Sequence, residues 1–278
     1  MTIKNLFIYF NAIAFILLSP QMEWGSDSPW LRVHFLDVGY GDAILIESSD
    51  FAIMIDTGEK KFSQRILDYL SDRDITSIDA ALITHPHKNH FEGFLPLLDK
   101  IKIKSLYING ETNAEAGYAE LLSAFRQKSI PVKTVKSGSK IETPINGLTV
   151  EILHPNNLSA DPNGNSLVTW LRFQETYFLF TADIGESQQD HLIGQKSFIK
   201  KAHLIQIPHH GGSASESWAA FFRHPIFVLS TGENQWGIPD ETKLKKLTAP
   251  VWRTDQHGTV VIESDGQRLK ILSSKHGK

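Results

Sequence analysis

From Leu31 onward the chain alternates short runs of β-branched and aromatic residues with segments of helical period. That alternation limits it to an α/β fold built on sheets. LRVHFLDV (31–38), AILIES (43–48) and FAIMID (51–56) are separated only by the turn formers GYGD (39–42) and SSD (48–50), and read as consecutive antiparallel strands. A helix is expected at about 61–71, with Phe62, Ile66, Leu67 and Leu70 on one face, followed by the strand DAALITH (79–85). Helix FEGFLPLLDK, strand KSLYING and a helix over 114–128 continue the pattern.

The second half repeats it. LTVEILHP, SLVTWLRF and TYFLFTAD are expected strands and lead into the helix ESQQDHLIGQ. Strand KAHLIQIPHH, helix ESWAAFFRH, strand PIFVLST and helix DETKLKKLT follow, and VWRTDQHGTVVIES and QRLKILSS close the chain as strands. No Pro/Gly/Ser linker divides this stretch, so residues 29–278 read as one domain. Helices both between and after strands predict a layered α/β sandwich. Two β-rich halves, each ending in a histidine-bearing loop, suggest a pseudo-duplicated layout.

Residues 1–28 stand apart. Lys4 precedes a nearly unbroken apolar run, Leu6–Leu18, ended by Ser19-Pro20. A basic start and an apolar core too short to span a bilayer comfortably describe a signal peptide. No small-x-small cleavage site follows Leu18, so an N-terminal anchor through residues 6–18 is the other reading of the same segment. Either predicts an exported protein, periplasmic or extracellular, with a possible N-terminal membrane contact. The chain has no cysteine, which excludes disulfides, thiolate zinc sites and cysteine nucleophiles. A formal net charge of −3 gives no global field for nucleic acid. The lysine groups Lys100/Lys102/Lys104, Lys133/Lys136/Lys140 and Lys243/Lys245/Lys246 read as solvated faces rather than a strong nucleic-acid patch. Among Trp218, Trp236 and Trp252, Trp236 in ENQWGIP is the best candidate for stacking on a base.

Chemistry concentrates at strand ends. THPHKNH (84–90) places His85, His87 and His90 within six residues, directly after the apolar run 80–83. In a chain with 12 histidines among 278 residues, that clustering favours metal ligation over a polar loop. Imidazole suits Zn²⁺, and also Mn²⁺ or Fe²⁺, in one or two sites. TYFLFTADIGE (176–186) sets Asp183 after another apolar strand, either as a ligand or as a helix N-cap. QIPHHGGSAS (206–215) sets His209 and His210 at a third such junction, where Gly211-Gly212 permits a tight turn. Strand ends of this kind converge on one edge of an α/β sandwich and outline a dinuclear metal site.

These motifs, in this order, resemble the metallo-β-lactamase superfamily, and within it the extracytoplasmic hydrolase-like domain of the ComEC-like DNA-uptake family. The resemblance spans about residues 31–272 and also rests on FLDVGYGDAILIE (35–47), MIDTG (54–58), LHP (153–155), NGNSLV (163–168), STGENQWGIP (230–239) and WRTDQHGTV (252–260). It implies a four-layer αββα sandwich and a metal-dependent hydrolase, with a phosphodiesterase or nuclease role and one or two Zn²⁺ ions (Mn²⁺ as an alternative). It also implies a phosphodiester or nucleic-acid substrate for a monomer. By that resemblance His85 and His87 bind one ion, His90 and His209 bind a second, and Asp183 bridges them. Asp42 and Asp56 support the ligands, and Asn163 falls where other branches carry a histidine. His210 and Asn89 are the candidates for positioning the attacking water.

Four residues depart from the family pattern: Tyr40 for Gln, Asn89 for Asp, Ala182 for Gly and Ile238 for His. Position 89 matters most, because an amide coordinates only through a neutral carbonyl and cannot serve as a base. The competing expectation is therefore a non-catalytic binding protein on the same fold.

Overall fold

The computed structural model of the chain describes residues 30–49, 51–112 and 114–272. The expected signal or anchor segment, residues 1–28, lies outside the described residues. Among the described residues, no helix is long and apolar enough to cross a membrane.

Two large sheets face each other. The eight-stranded sheet runs Leu269–Ile271, Val260–Ser264, Leu31–Phe35, Ile44–Ser48, Phe51–Ile55, Ala80–Ile83, Leu106–Ile108, Val132–Thr134. Its first five strands pair antiparallel, as the short turns at 39–42 and 48–50 require, and the last four are parallel. The seven-stranded sheet runs Val251–Arg253, Ile226–Leu229, Leu204–Gln206, Thr176–Phe180, Val168–Phe173, Leu148–His154, Lys140–Ile141. It too joins a parallel part to an antiparallel part.

The apolar runs are continuous because both faces of each sheet are covered. Ile44, Ile46, Ile53, Ile55 and Leu82 point inward and meet Leu171, Phe173, Phe178, Phe180 and Leu204 between the sheets. Their alternate neighbours Leu45, Met54, Ala81 and Ile83 point outward, onto Ile66, Leu70, Phe94, Leu121 and Phe125 of one helical layer. Trp170, Leu179, Ile205 and Phe227 pack the outer face of the second sheet against Leu192, Trp218 and Phe222. The result is the expected four-layer αββα sandwich.

Local departures from the sequence expectations have physical causes. FEGFLPLLDK is two short helices, Lys88–Phe91 and Phe94–Leu97, joined at Gly93. A side chain at Gly93 would collide with the Thr57 carbonyl, so the chain turns where it meets the site loop. The closing strand VWRTDQHGTVVIES is interrupted by the helical turn Thr254–His257. Val251–Arg253 belongs to the second sheet and Val260–Ser264 to the first, and Gly258 (φ 68°) makes the crossing. Short strands at Ser77–Ile78 and Lys102–Ile103 form a small parallel pair that the sequence pattern does not announce.

Candidate metal centre

The parallel strands bring their C-terminal ends to one edge, where α/β sheets present ligand groups. Ala80–Ile83 leads to His85, His87, Asn89 and His90; Thr176–Phe180 to Asp183; Leu204–Gln206 to His209 and His210; Phe51–Ile55 to Asp56. Asp183 is the centre of this convergence and is 2% exposed. Its Oδ2 lies 3.3 Å from His90 Nε2, 3.7 Å from His85 Nε2 and 3.8 Å from His209 Nε2. Its Oδ1 lies 3.5 Å from His210 Nε2. His87 joins through His85, with Nδ1 3.0 Å from His85 Nε2.

Backbone strain serves the geometry. His209 and His210 are consecutive left-handed residues (φ 50° and 51°). In a strand, adjacent side chains diverge, whereas this turn aims both imidazoles at one carboxylate. Ala182, just before Asp183, is also left-handed at φ 47°, which explains why glycine suits that position.

Each buried histidine is fixed from behind through Nδ1. His90 Nδ1 donates to Asp56 Oδ2 at 2.8 Å, and Asp56 is held in turn by the Thr84 backbone N–H and hydroxyl. His210 Nδ1 donates to the Ser230 carbonyl at 2.9 Å, the tautomer that leaves the ring's lone pair on Nε2. His85 Nδ1 lies 3.1 Å from Thr84 Oγ1 and 3.3 Å from Ser166 Oγ, whose hydroxyl also accepts the Asp183 N–H. Three Nε2 atoms are thereby turned toward Asp183, the arrangement by which outer partners orient metal-ligating histidines.

The donor set fits a divalent cation. Asp42, His90, Asp183 and His210 offer ligand atoms within 4.8 Å of one another, all buried. Asp42 Oδ1, His90 Nε2 and Asp183 Oδ1 are buried without a hydrogen-bond partner, which is costly unless something binds there. Burial alone would raise the Asp183 carboxyl, but His210, His90 and His85 hold it well below the usual carboxylate range. Burial, and then the neighbouring His90, keep His85 well below the ordinary histidine value and therefore neutral. An ionised carboxylate and neutral imidazole are the forms a metal needs. His90 is the exception. Although burial opposes it, Asp183 and Asp56 hold His90 well above the ordinary value, so two carboxylates are drawing positive charge to this point.

All seven residues singled out by sequence gather here. Asn163 Nδ2 lies 3.4 Å from His209 Nε2, which puts His209 on the side of the loop at 163–165. Asn89 Nδ2 lies 3.1 Å from His210 Nε2, which puts His210 on the side of Asn89 and His90. Asp42, expected as a support, lies close to His90, Asp183 and His210, and its Oδ2 is 3.8 Å from His90 Nδ1.

Sequence reasoning missed Gln206. Its Nε2 donates to Asp42 Oδ2 at 2.7 Å, while its Oε1 accepts the Thr181 and Ala182 N–H groups at 2.9 and 3.1 Å. One polar residue ending the apolar run LIQ was the available signal. A cavity of about 450 Å³ opens over the centre, lined among others by Tyr40, His87, Asn89, Asp183, His209 and Trp236.

Comparison with known proteins agrees with this geometry. A family model described as the metallo-beta-lactamase superfamily matches residues 36–224. The ComE operon protein 3 of Bacillus subtilis (strain 168) is 27% identical over 256 residues, covering 82% of this chain and 32% of that protein. Recombination protein 2 of Haemophilus influenzae is 25% identical over 272 residues, covering 94% of this chain and 32% of its own length. The chain thus spans about a third of these curated relatives. Among solved structures, the metallo-beta-lactamase fold protein YhfI of Bacillus subtilis superposes with a TM-score of 0.55 at 14% identity, covering 85% of this chain and all of that one.

Proposed function

The chain belongs to the metallo-beta-lactamase superfamily, whose members are typically hydrolases, and from that premise we propose that it is a metal-dependent phosphodiesterase acting on nucleic acid. The observation that carries the reading is the set of anchored imidazoles turned on Asp183 at the floor of an open cavity. His85, His87 and His209 would hold one ion and Asp42, His90 and His210 a second, with Asp183 between them, so that His210 takes the place beside His90 that the resemblance implied for His209. Zn²⁺ or Mn²⁺ suits these nitrogen and oxygen donors. Such ions supply Lewis-acid polarisation of a phosphoryl oxygen and activation of water.

The chain's own groups do the rest. Five imidazoles against two carboxylates favour an anionic substrate. Asp56 and the Ser230 carbonyl hold His90 and His210 in place, and Asn89 orients water without being able to take its proton. The competence-related relatives support a nucleic-acid substrate and, with the apolar segment at residues 6–18, export from the cytoplasm. A monomer suffices, because the described residues of one chain complete the site.

A second reading, a non-catalytic anion-binding protein, is favoured by one observation: an amide stands beside His210 where the family carries an acid. Metal stoichiometry of the purified protein and of Asn89→Asp, with turnover of bis-p-nitrophenyl phosphate and single-stranded DNA in Zn²⁺ or Mn²⁺, separates the two. Two ions and turnover by the unaltered protein support the phosphodiesterase. Turnover gained only by Asn89→Asp supports the binding protein.

A further inference from the structure

One wall of the cavity is aromatic and wet. Trp236 is 60% exposed, yet its ring sits 4.8 Å from that of Tyr40, inclined at 35°. Tyr40 in turn sits 4.4 Å from the ring of His210. A run of rings therefore leads from solvent to Asp183. Leaving an indole in water forgoes the gain of burying its apolar surface, so its position calls for a cause.

The loop that presents it is built, not loose. Asn234 Nδ2 donates to the Gly232 and Ile238 carbonyls at 2.8 and 2.5 Å, and Asn234 Oδ1 accepts the Trp236 and Ile238 N–H groups at 3.0 and 3.3 Å. Gly232 lies so close to the backbone of Gly39 and Tyr40 that a Cβ there would come within 2.5 Å of the Gly39 carbonyl carbon. The backbone that presents the indole is thus fixed relative to Tyr40 before any ligand arrives, which lowers the cost of binding a planar group.

We propose that Trp236, backed by the buried ring of Tyr40, forms a stacking platform for an unpaired nucleobase flanking the phosphodiester held over Asp183, which makes the substrate single-stranded. This rests on the phosphodiesterase reading above. A base in a duplex offers only its edges, so a face-on platform requires one free of its stack. Stacking is also sequence-tolerant, since every base has a π-face. Lys88, exposed on the same cavity, suits the adjoining phosphate.

The test compares Trp236→Ala and Trp236→Phe with the unaltered protein, loaded with Mn²⁺. Two probes of equal length and charge are used, a thymidine oligonucleotide and its abasic counterpart. Binding is read by fluorescence anisotropy and cleavage by gel. The unaltered protein should prefer the base-bearing strand. Trp236→Ala should cut that preference roughly 5- to 150-fold, whereas Trp236→Phe should keep most of it. Equal affinity of the unaltered protein for both probes, or a preference unchanged in Trp236→Ala, overturns the platform. So does an equal loss in both variants. Base-dependent binding lost in Trp236→Ala, but with no cleavage of any diester, upholds the platform and sinks the phosphodiesterase reading instead.

Discussion

Gln206 lets the support of the site be weighed against the site itself. Its side chain is 3% exposed and satisfies three partners: the Asp42 carboxylate and the N–H groups of Thr181 and Ala182, which open the turn carrying Asp183. Gln206→Ala orphans all three. A buried unsatisfied polar group costs about 1–3 kcal/mol, more when charged, and water admitted to the space returns part of that. A net loss of about 3–5 kcal/mol follows, or roughly 6–20 °C in melting temperature for a domain of this size. Because Asp42 and Asp183 lose their splint, metal affinity should fall on the order of 10–100-fold as well. Gln206→Glu separates the two ends of the side chain. It retains an acceptor for Thr181 and Ala182 but sets a second carboxyl against Asp42. Its deficit relative to the unaltered protein should therefore shrink as pH falls from 7 to 5 and that carboxyl, raised by its neighbour, takes up a proton that it can donate. Calorimetry across pH, with metal titration at pH 7, reads both effects. A Gln206→Ala protein melting within about 2 °C of the parent and binding metal equally well would refute the assignment of Gln206 as the splint.

Three further outcomes follow from the same geometry. His34 is fully buried, 2.7 Å from the Tyr69 hydroxyl and 3.1 Å from Glu47. Burial lowers its pKa, and Glu47, though raised by burial, is brought below its ordinary value by His34 and Arg32. Both groups then bind fewer protons folded than unfolded, so stability is full above about pH 6.5 and is lost as pH falls. Urea midpoints of His34→Gln should fall less steeply below that pH than those of the parent, and equal slopes would count against the assignment. Ala182→Gly relieves a left-handed alanine (φ 47°) and should stabilise the fold by about 1 kcal/mol, visible as a higher denaturant midpoint. Asp42→Asn removes charge from the buried group Asp42, His90, Asp183 and His210. It should lower the measured metal-to-protein ratio while leaving one ion bound near His85, and an unchanged ratio would exclude Asp42 as a ligand.

What the sequence discloses about the fold is its periodicity, and what it hides is distance along the chain. Runs such as ILIES and FAIMI announce strands because both faces are buried, Ile44 and Ile46 between the sheets, Leu45 beneath a helix. The helical turn Thr254–His257 is hidden inside an apparent strand because its cause lies elsewhere, in the Thr254 hydroxyl bonded to the Thr231 carbonyl and in the need to change sheets. His34 reads as one more strand residue, and only pairing of Arg32 and His34 with Glu47 and Leu45 across the hairpin reveals a buried charge network.

The site follows the same rule, and position 89 shows why. Read along the chain, Asn89 is a ligand lost from a motif. In space, the turn GYGD delivers Asp42 beneath the same loop: the Asp42 N–H donates to the Asn89 carbonyl, and a Cβ on Gly41 would strike that carbonyl. Asp42 sits there because Gly41 has no side chain and Gln206 holds Oδ2, which lies 3.8 Å from His90 Nδ1, while Oδ1 is buried without a hydrogen-bond partner. A carboxylate from a different strand end thus lies beneath the loop that carries Asn89 and His90. Gly41 and Gln206 therefore fix where that carboxylate sits, Gly41 through its close approach to the Asn89 carbonyl and Gln206 through its bond to Asp42 Oδ2.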